Sequence, residues 1–150
     1  MQTELHIPSD LKFLTIVEEW LLGSLRVELG DWSDWPKWEN RLRLVLVEAY
    51  SNVVRHAHRD NPQLLVRLRV ELQDEALMLE VWDRGQGFDL STYLPPAPEV
   101  YQEGGYGWLI LNRLMDKVEY QVKIQGQHNC LRMQADLPRE LASLSLKEVI

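Results

Sequence analysis

Glu48-Ala-Tyr-Ser-Asn-Val-Val-Arg-His-Ala57 is the stretch on which the reading of this chain turns. It closes a segment in which Trp38, Leu42, Val45, Ala49, Val53 and His56 recur with the 3.6-residue rhythm of an amphipathic helix. On that helix Glu48, Asn52 and His56 are spaced i, i+4, i+8 and form one polar stripe among apolar positions. A carboxylate and a carboxamide on one stripe can orient a nucleophile and offer oxygen to a hard cation. Mg²⁺ suits such a site, since it often takes only one or two protein ligands and fills the rest with phosphate and water. Taken alone, the stripe reads more simply as a solvated helix face.

Outward from that helix, Asn61-Pro62 forces its end. Leu64 to Leu72 alternates, with Val66, Leu68 and Val70 on one face and Arg67, Arg69 and Glu71 on the other, which predicts a half-buried strand. Gln73 to Ala76 turns, and Leu77 to Trp82 predicts a second strand, antiparallel to the first. On the N-terminal side, Thr3 to Ile7 predicts a short strand. Ser9 is a candidate cap for a helix that begins at Asp10, carries Leu11, Leu14, Val17 and Leu21, and ends close to Gly23. Gly30 to Trp38 reads as a connector, with Asp34 a candidate N-cap and Pro36 near the first turn. Asp83 to Gly107 is long and irregular, dense in glycine and interrupted by Pro95, Pro96 and Pro98; such loops are usually functional or disordered. Trp108 to Met115 predicts a helix, Val118 to Ile124 and Cys130 to Ala135 a hairpin around Gly126, and the residues after Pro138 a short docking helix. The order β-α-α-β-β-loop-α-β-β implies an α+β, two-layer sandwich: a mostly antiparallel sheet with helices on one face.

Composition narrows the function. The 150 residues carry 16 Lys plus Arg against 23 Asp plus Glu, a formal charge of −7. That length fits one domain, 1–150, with a core to about residue 136 and a tail beyond. An acidic chain is a poor general nucleic-acid binder, because phosphate contact needs clustered cations. The one cysteine, Cys130, excludes an internal disulfide and a Cys-rich zinc site. No apolar run approaches the ~20 residues that span a bilayer, and the start lacks signal-peptide character. The expectation is a soluble cytoplasmic protein without direct nucleic-acid or membrane contacts.

Two glycine patterns accompany the polar stripe. Asp83-Arg-Gly-Gln-Gly-Phe88 follows a strand; its glycines permit close backbone approach to a ligand, and Asp83 can accept a hydrogen bond from an exocyclic amine. Read blandly, it is a tight turn with an Asx-type cap. Gly104-Gly-Tyr-Gly-Trp-Leu-Ile-Leu111 opens a helix, where backbone N–H groups and the helix dipole favour an anion. It fits neither a Rossmann nor a Walker pattern, and its bland reading is a hinge.

Each pattern is weak alone, but their order is specific. A helix with ExxxNxxxH, a strand pair ending in DxGxGF, a lid-length loop and then GxG opening a helix resembles the GHKL ATPase superfamily with its Bergerat fold. Glu48 to Ala57 and Gly105 to Tyr120 look like the corresponding segments of stand-alone anti-sigma factor serine/threonine-protein kinases, and the resemblance covers roughly residues 1 to 136. It implies a protein that binds Mg·ATP, captures a sigma factor and phosphorylates a serine or threonine of a small STAS-domain anti-anti-sigma protein. By position it implies that Glu48 orients or deprotonates the attacking hydroxyl, Asn52 ligates Mg²⁺, and Asp83 reads the adenine amine. Gly85 and Gly87 would shape the pocket wall, and Gly105 and Gly107 would cradle the phosphates. Dimerisation is common in the resembled family, so a homodimer is a further expectation.

Two departures qualify the resemblance. Family kinases often carry a basic residue just before the glycine loop, where this chain has Tyr101-Gln-Glu-Gly104. The last strand of the family offers a Thr near the adenine, and the matching place here reads as Cys130, with Asn129 beside it. The first departure motivates an alternative: a nucleotide-gated regulatory module that captures a partner without phosphorylating it. Of the remaining features, Trp32, Trp35 and Trp38 read as core or connector packing in preference to a partner hot spot. His56, His58 and Asp60 lack the spacing and number of a zinc site.

Overall fold

The computed structural model describes residues 1–85, 107–124 and 128–138. Five strands, β1 (Gln2–Pro8), β2 (Leu65–Leu72), β3 (Ala76–Asp83), β4 (Lys117–Ile124) and β5 (His128–Asp136), form one sheet in the order β1-β2-β3-β5-β4. Every pairing is antiparallel. Three α-helices, α1 (Leu14–Leu29), α2 (Trp35–Asn52) and α3 (Gly107–Leu114), lie among the described residues, with a 3₁₀ turn at Leu11–Phe13 and a π-helical segment at Val53–Ala57. The two predicted hairpins are present, and pairing of β3 with β5 joins them into one sheet with β4 at its edge.

Strand alternation builds the core. Val66, Leu68 and Val70 of β2, Leu77, Leu79 and Val81 of β3, and Leu131, Met133 and Ala135 of β5 share one buried cluster with the apolar stripes of α1 and α2. The opposite sheet face is polar and cross-linked. Arg69 binds Glu80 at 2.7 Å and Glu71 at 3.0 Å, and the Arg67 guanidinium stacks 4.4 Å from the Trp82 ring centroid. The Glu80 hydrogen bond is the main reason the Arg69 pKa is raised above its usual value. The tryptophans pack inward as expected: Trp32 and Trp35 are buried, the Trp32 and Trp38 rings lie 5.6 Å apart, and Arg41 stacks 4.6 Å from Trp38.

Three local expectations are corrected. Helix α1 does not stop near Gly23 but runs to Leu29. Leu25 and Leu29 continue its buried stripe. Burying each is worth about 1.5–3 kcal/mol, more than the ~1 kcal/mol cost of a glycine in a helix. Ser9 is not the cap: the Asp10 carboxylate accepts the Lys12 N–H at 2.9 Å. The connector ends at Asp34 and not at Trp38: helix α2 begins at Trp35, with Asp34 at the N-cap position and Pro36 in the first turn as expected, although the Asp34 side chain makes no cap hydrogen bond. The predicted tail helix and the turn at Gly126 lie outside the described residues.

The fully buried Tyr50 anchors α2 to the start of the chain. Its hydroxyl lies 2.7 Å from Pro8 O and 2.8 Å from Asp10 O as donor, and accepts the Asp10 N–H at 3.2 Å. Burial pushes its pKa up, the hydrogen bond at Asp10 opposes that, and the Asp10 charge adds to it. The face of α2 that carries Glu48 and Asn52 is thereby held in one rotation relative to the sheet.

Candidate functional site

Gly107, the first residue of α3, sits directly over the predicted polar stripe. A Cβ built there would lie 2.5 Å from Glu48 Oε2 and 3.5 Å from Asn52 Nδ2. A side chain at 107 would therefore push the Glu48 carboxylate aside, so the glycine leaves Glu48 its place beside the start of α3. Farther along the same helix, Gly85 abuts the π-helical segment: its Cβ would lie 2.1 Å from Ala57 O. The structure thus brings Glu48, Asn52 and Gly107 together at one end and sets the Asp83–Gly85 turn against the other.

His56 does not extend the stripe. The α-helical spacing gives way to a π-helical one after Asn52, and His56 is exposed. The buried histidine of this region is His58, 1% exposed, whose Nε2 accepts the Arg84 N–H at 2.8 Å. Burial lowers its pKa below the usual 6.5; the Asp83 charge opposes that shift, and Arg84 adds to it. Among the described residues no three His, Cys, Asp or Glu side chains converge as metal ligands.

Asp83 ends β3 on the core side of the sheet and is 1% exposed. Its Oδ1 accepts from Asn129 Nδ2 at 2.7 Å and from Gly85 N at 2.9 Å. Its Oδ2 accepts from the Tyr120 hydroxyl at 3.1 Å. A carboxylate offers about four lone-pair directions, so these contacts among the described residues leave Oδ2 able to accept one further donor, such as an amine hydrogen. Asn129 is itself fixed, donating to Gly85 O at 2.9 Å and accepting the Lys123 N–H at 2.9 Å. Lys123 adopts φ 55°, at the irregularity in the β4–β5 register.

The partner of Asp83 on the last strand is therefore Asn129 and not Cys130. The β3–β5 register sets Asn129 opposite Asp83, while Cys130 lies opposite Trp82 on the other face. There Cys130 Sγ is 3.8 Å from Glu80 Oε2, and burial, reinforced by the Glu80 charge, pushes the thiol up to about 12. Such a thiol is not a nucleophile at neutral pH. Tyr120 was not among the expected site residues; its place in the Val118-Glu-Tyr120 alternation is the signal that points it inward. Gly87 and Gly105, with Glu103 and the rest of the predicted lid, lie outside the described residues.

Comparison with known proteins agrees with this geometry. The profile of the family described as Histidine kinase-like ATPase domain matches residues 12–135. A serine-protein kinase RsbW of Oceanobacillus iheyensis is 31% identical over 100 residues, covering 61% of this chain and 61% of the relative. The RsbW of Bacillus velezensis is 29% identical over 129 residues, covering 79% of this chain and 76% of the relative. The match thus spans about three-fifths of the first relative and three-quarters of the second. Among solved structures, a Mycobacterium tuberculosis protein with RsbU and RsbW domains superposes with a TM-score of 0.57 at 17% identity, covering 91% of this chain and 33% of that one. That likeness is one of fold. No helix among the described residues is long and apolar enough to cross a membrane. With the family profile covering most of its length and the glycine-flanked α2 stripe in place, the chain belongs to the histidine kinase-like ATPase domain family.

Proposed function

We propose that this protein is a cytoplasmic, ATP-dependent serine/threonine-protein kinase that also acts as an anti-sigma factor, phosphorylating a STAS-domain anti-anti-sigma protein. The observation that carries the reading is the seating of Gly107 on Glu48 and Asn52, with the Asp83–Gly85 turn at the far end of the same helix. The names of the RsbW relatives support it.

Each part has a task in phosphoryl transfer, which asks mainly for positioning and charge neutralisation. Asp83 accepts the adenine amine, held in place by Asn129, Gly85 and Tyr120. Gly85 forms part of the pocket wall and Gly107 brings a backbone N–H to the phosphates; the family resemblance implies the matching roles for Gly87 and Gly105. The donor set suits Mg²⁺: the one carboxamide oxygen of Asn52 and the Glu48 carboxylate beside it would hold the ion, at a place where a Cβ on Gly107 would collide with Glu48 Oε2. Bound there, Mg²⁺ supplies neutralisation of phosphate charge. Glu48 orients the substrate hydroxyl and takes its proton as the hydroxyl oxygen bonds to the γ-phosphorus; the bond to the β–γ bridging oxygen breaks and ADP leaves.

The test is transfer of labelled γ-phosphate to a candidate STAS-domain protein by wild type and Glu48→Ala. Wild type should label the acceptor and the variant should not, although it still binds ATP. Absence of labelling by a wild type that binds ATP sinks the kinase claim. The second reading, ATP-gated capture of a partner without transfer, is favoured by the Tyr101-Gln-Glu-Gly104 sequence, which lacks a cation before the glycine loop. It predicts capture that survives Glu48→Ala.

A further inference from the structure

We propose that His58 is a positioning residue for the nucleotide pocket, its Nε2 accepting the Arg84 N–H and so fixing the Asp83–Gly85 turn against the end of the Asn52 helix. The proposal rests on the reading of Asp83–Gly85 as a wall of that pocket.

The His58 backbone is pinned first. Its N–H donates to Val53 O at 2.8 Å, closing the π-helical turn, and its carbonyl accepts the Asn61 N–H at 2.9 Å. The side chain of a residue so placed, at the junction of helix and loop, can reach only a short way, and it reaches the one backbone N–H between Asp83 and Gly85. Gly85 meets the neighbouring Ala57 carbonyl on the same side. The turn is thus held from the strand side by Asn129 and Tyr120, and from the helix side by His58.

Packing alone does not account for a histidine here. To accept at Nε2 the ring must be neutral with its proton on Nδ1. That Nδ1 is buried and has no hydrogen-bond partner among the described residues. A buried unpaired N–H costs stability, so an apolar side chain of similar size would fill the space at less cost. What an apolar residue cannot supply is the acceptor for Arg84. Burial holds the imidazole in the neutral form that acceptance requires, with Arg84 favouring and Asp83 opposing that form.

His58→Leu keeps the volume and deletes the acceptor, whereas His58→Gln keeps an acceptor oxygen at similar reach. In nucleotide-free full-length protein, amide exchange at Arg84 should quicken about tenfold in His58→Leu and stay within about twofold of wild type in His58→Gln, the scale of one hydrogen bond. Calorimetric Mg·ATP affinity should follow the same order, falling about tenfold in the leucine variant alone. A purely structural role would lower the melting temperature of both variants without this split. Unchanged Arg84 exchange in His58→Leu overturns the proposal. So does faster exchange with undiminished ATP affinity, or a glutamine variant as impaired as the leucine one. A wild-type protein that binds no Mg·ATP overturns the nucleotide reading and the pocket half of this proposal; Arg84 exchange in the same samples still decides whether His58 holds the turn.

Discussion

The Asn129 carboxamide donates to Asp83 Oδ1 at 2.7 Å across the β3–β5 pair. One side chain thereby joins sheet register to site chemistry, since Asn129 also donates to Gly85 O and accepts from Lys123 N. Truncating it strands the Gly85 carbonyl and the Lys123 N–H together. Asn129→Ala should lose about 2–4 kcal/mol in urea denaturation, the scale of one charge-assisted bond plus groups left unpaired. It should also weaken nucleotide binding. A variant as stable as wild type would show that this network contributes nothing.

Gly85 and Gly107 should respond differently to the same change. At Gly85 the added methyl meets rigid backbone, the Ala57 carbonyl, so Gly85→Ala should cost about 1–3 kcal/mol and displace the turn. At Gly107 it meets Glu48 Oε2, the free end of a flexible side chain. Gly107→Ala should keep a near-native melting temperature while phosphoryl transfer falls, because Glu48 is pushed aside. Equal stability losses in the two variants would refute the distinction.

Tyr50→Phe removes a buried hydroxyl that serves Pro8 O, Asp10 O and Asp10 N. The expected cost is about 1–3 kcal/mol, the range for leaving buried backbone groups unpaired, read by chemical denaturation. A loss under about 0.5 kcal/mol, the level of an ordinary surface substitution, would contradict the anchoring role.

His58 predicts a signed pH dependence. Its native pKa is depressed below 6.5, so the unfolded chain takes up its proton first as pH falls. Its contribution to stability is therefore whole above about pH 6.5 and declines below it, by at most about 1.4 kcal/mol per pH unit, until native His58 also protonates. His58→Leu should flatten that decline in denaturation midpoints measured from pH 7 downward. A variant with the wild-type slope would assign the decline to other groups.

Much of this architecture was legible because burial writes a period into the chain. The alternation of Val66, Leu68 and Val70 marked β2, and the rhythm of Leu42, Val45 and Ala49 marked α2. Glycine misled at position 23, where nothing lies within 4 Å of a Cβ and the helix simply continues. The π-helical segment left no trace either. Its period differs from the α-helical one for only five residues, Val53–Ala57, yet it turns His56 outward and His58 inward. Glu48 and Asn52 could be read from one helix. The Asp83 partners Asn129 and Tyr120 depend on how β5 pairs with β3 and β4, a register that no local pattern encodes.

The central claim is a nucleotide pocket between the Asp83 turn and the Glu48–Asn52 stripe. Calorimetric titration of Mg·ATP into wild type and Asp83→Asn tests it most directly. The exchange replaces an all-acceptor carboxylate with a group that turns hydrogens toward at least one of the donors Asn129 Nδ2, Gly85 N and Tyr120 OH. Saturable binding by wild type that is lost in Asp83→Asn is the predicted result; undiminished ATP affinity in the variant would contradict the pocket.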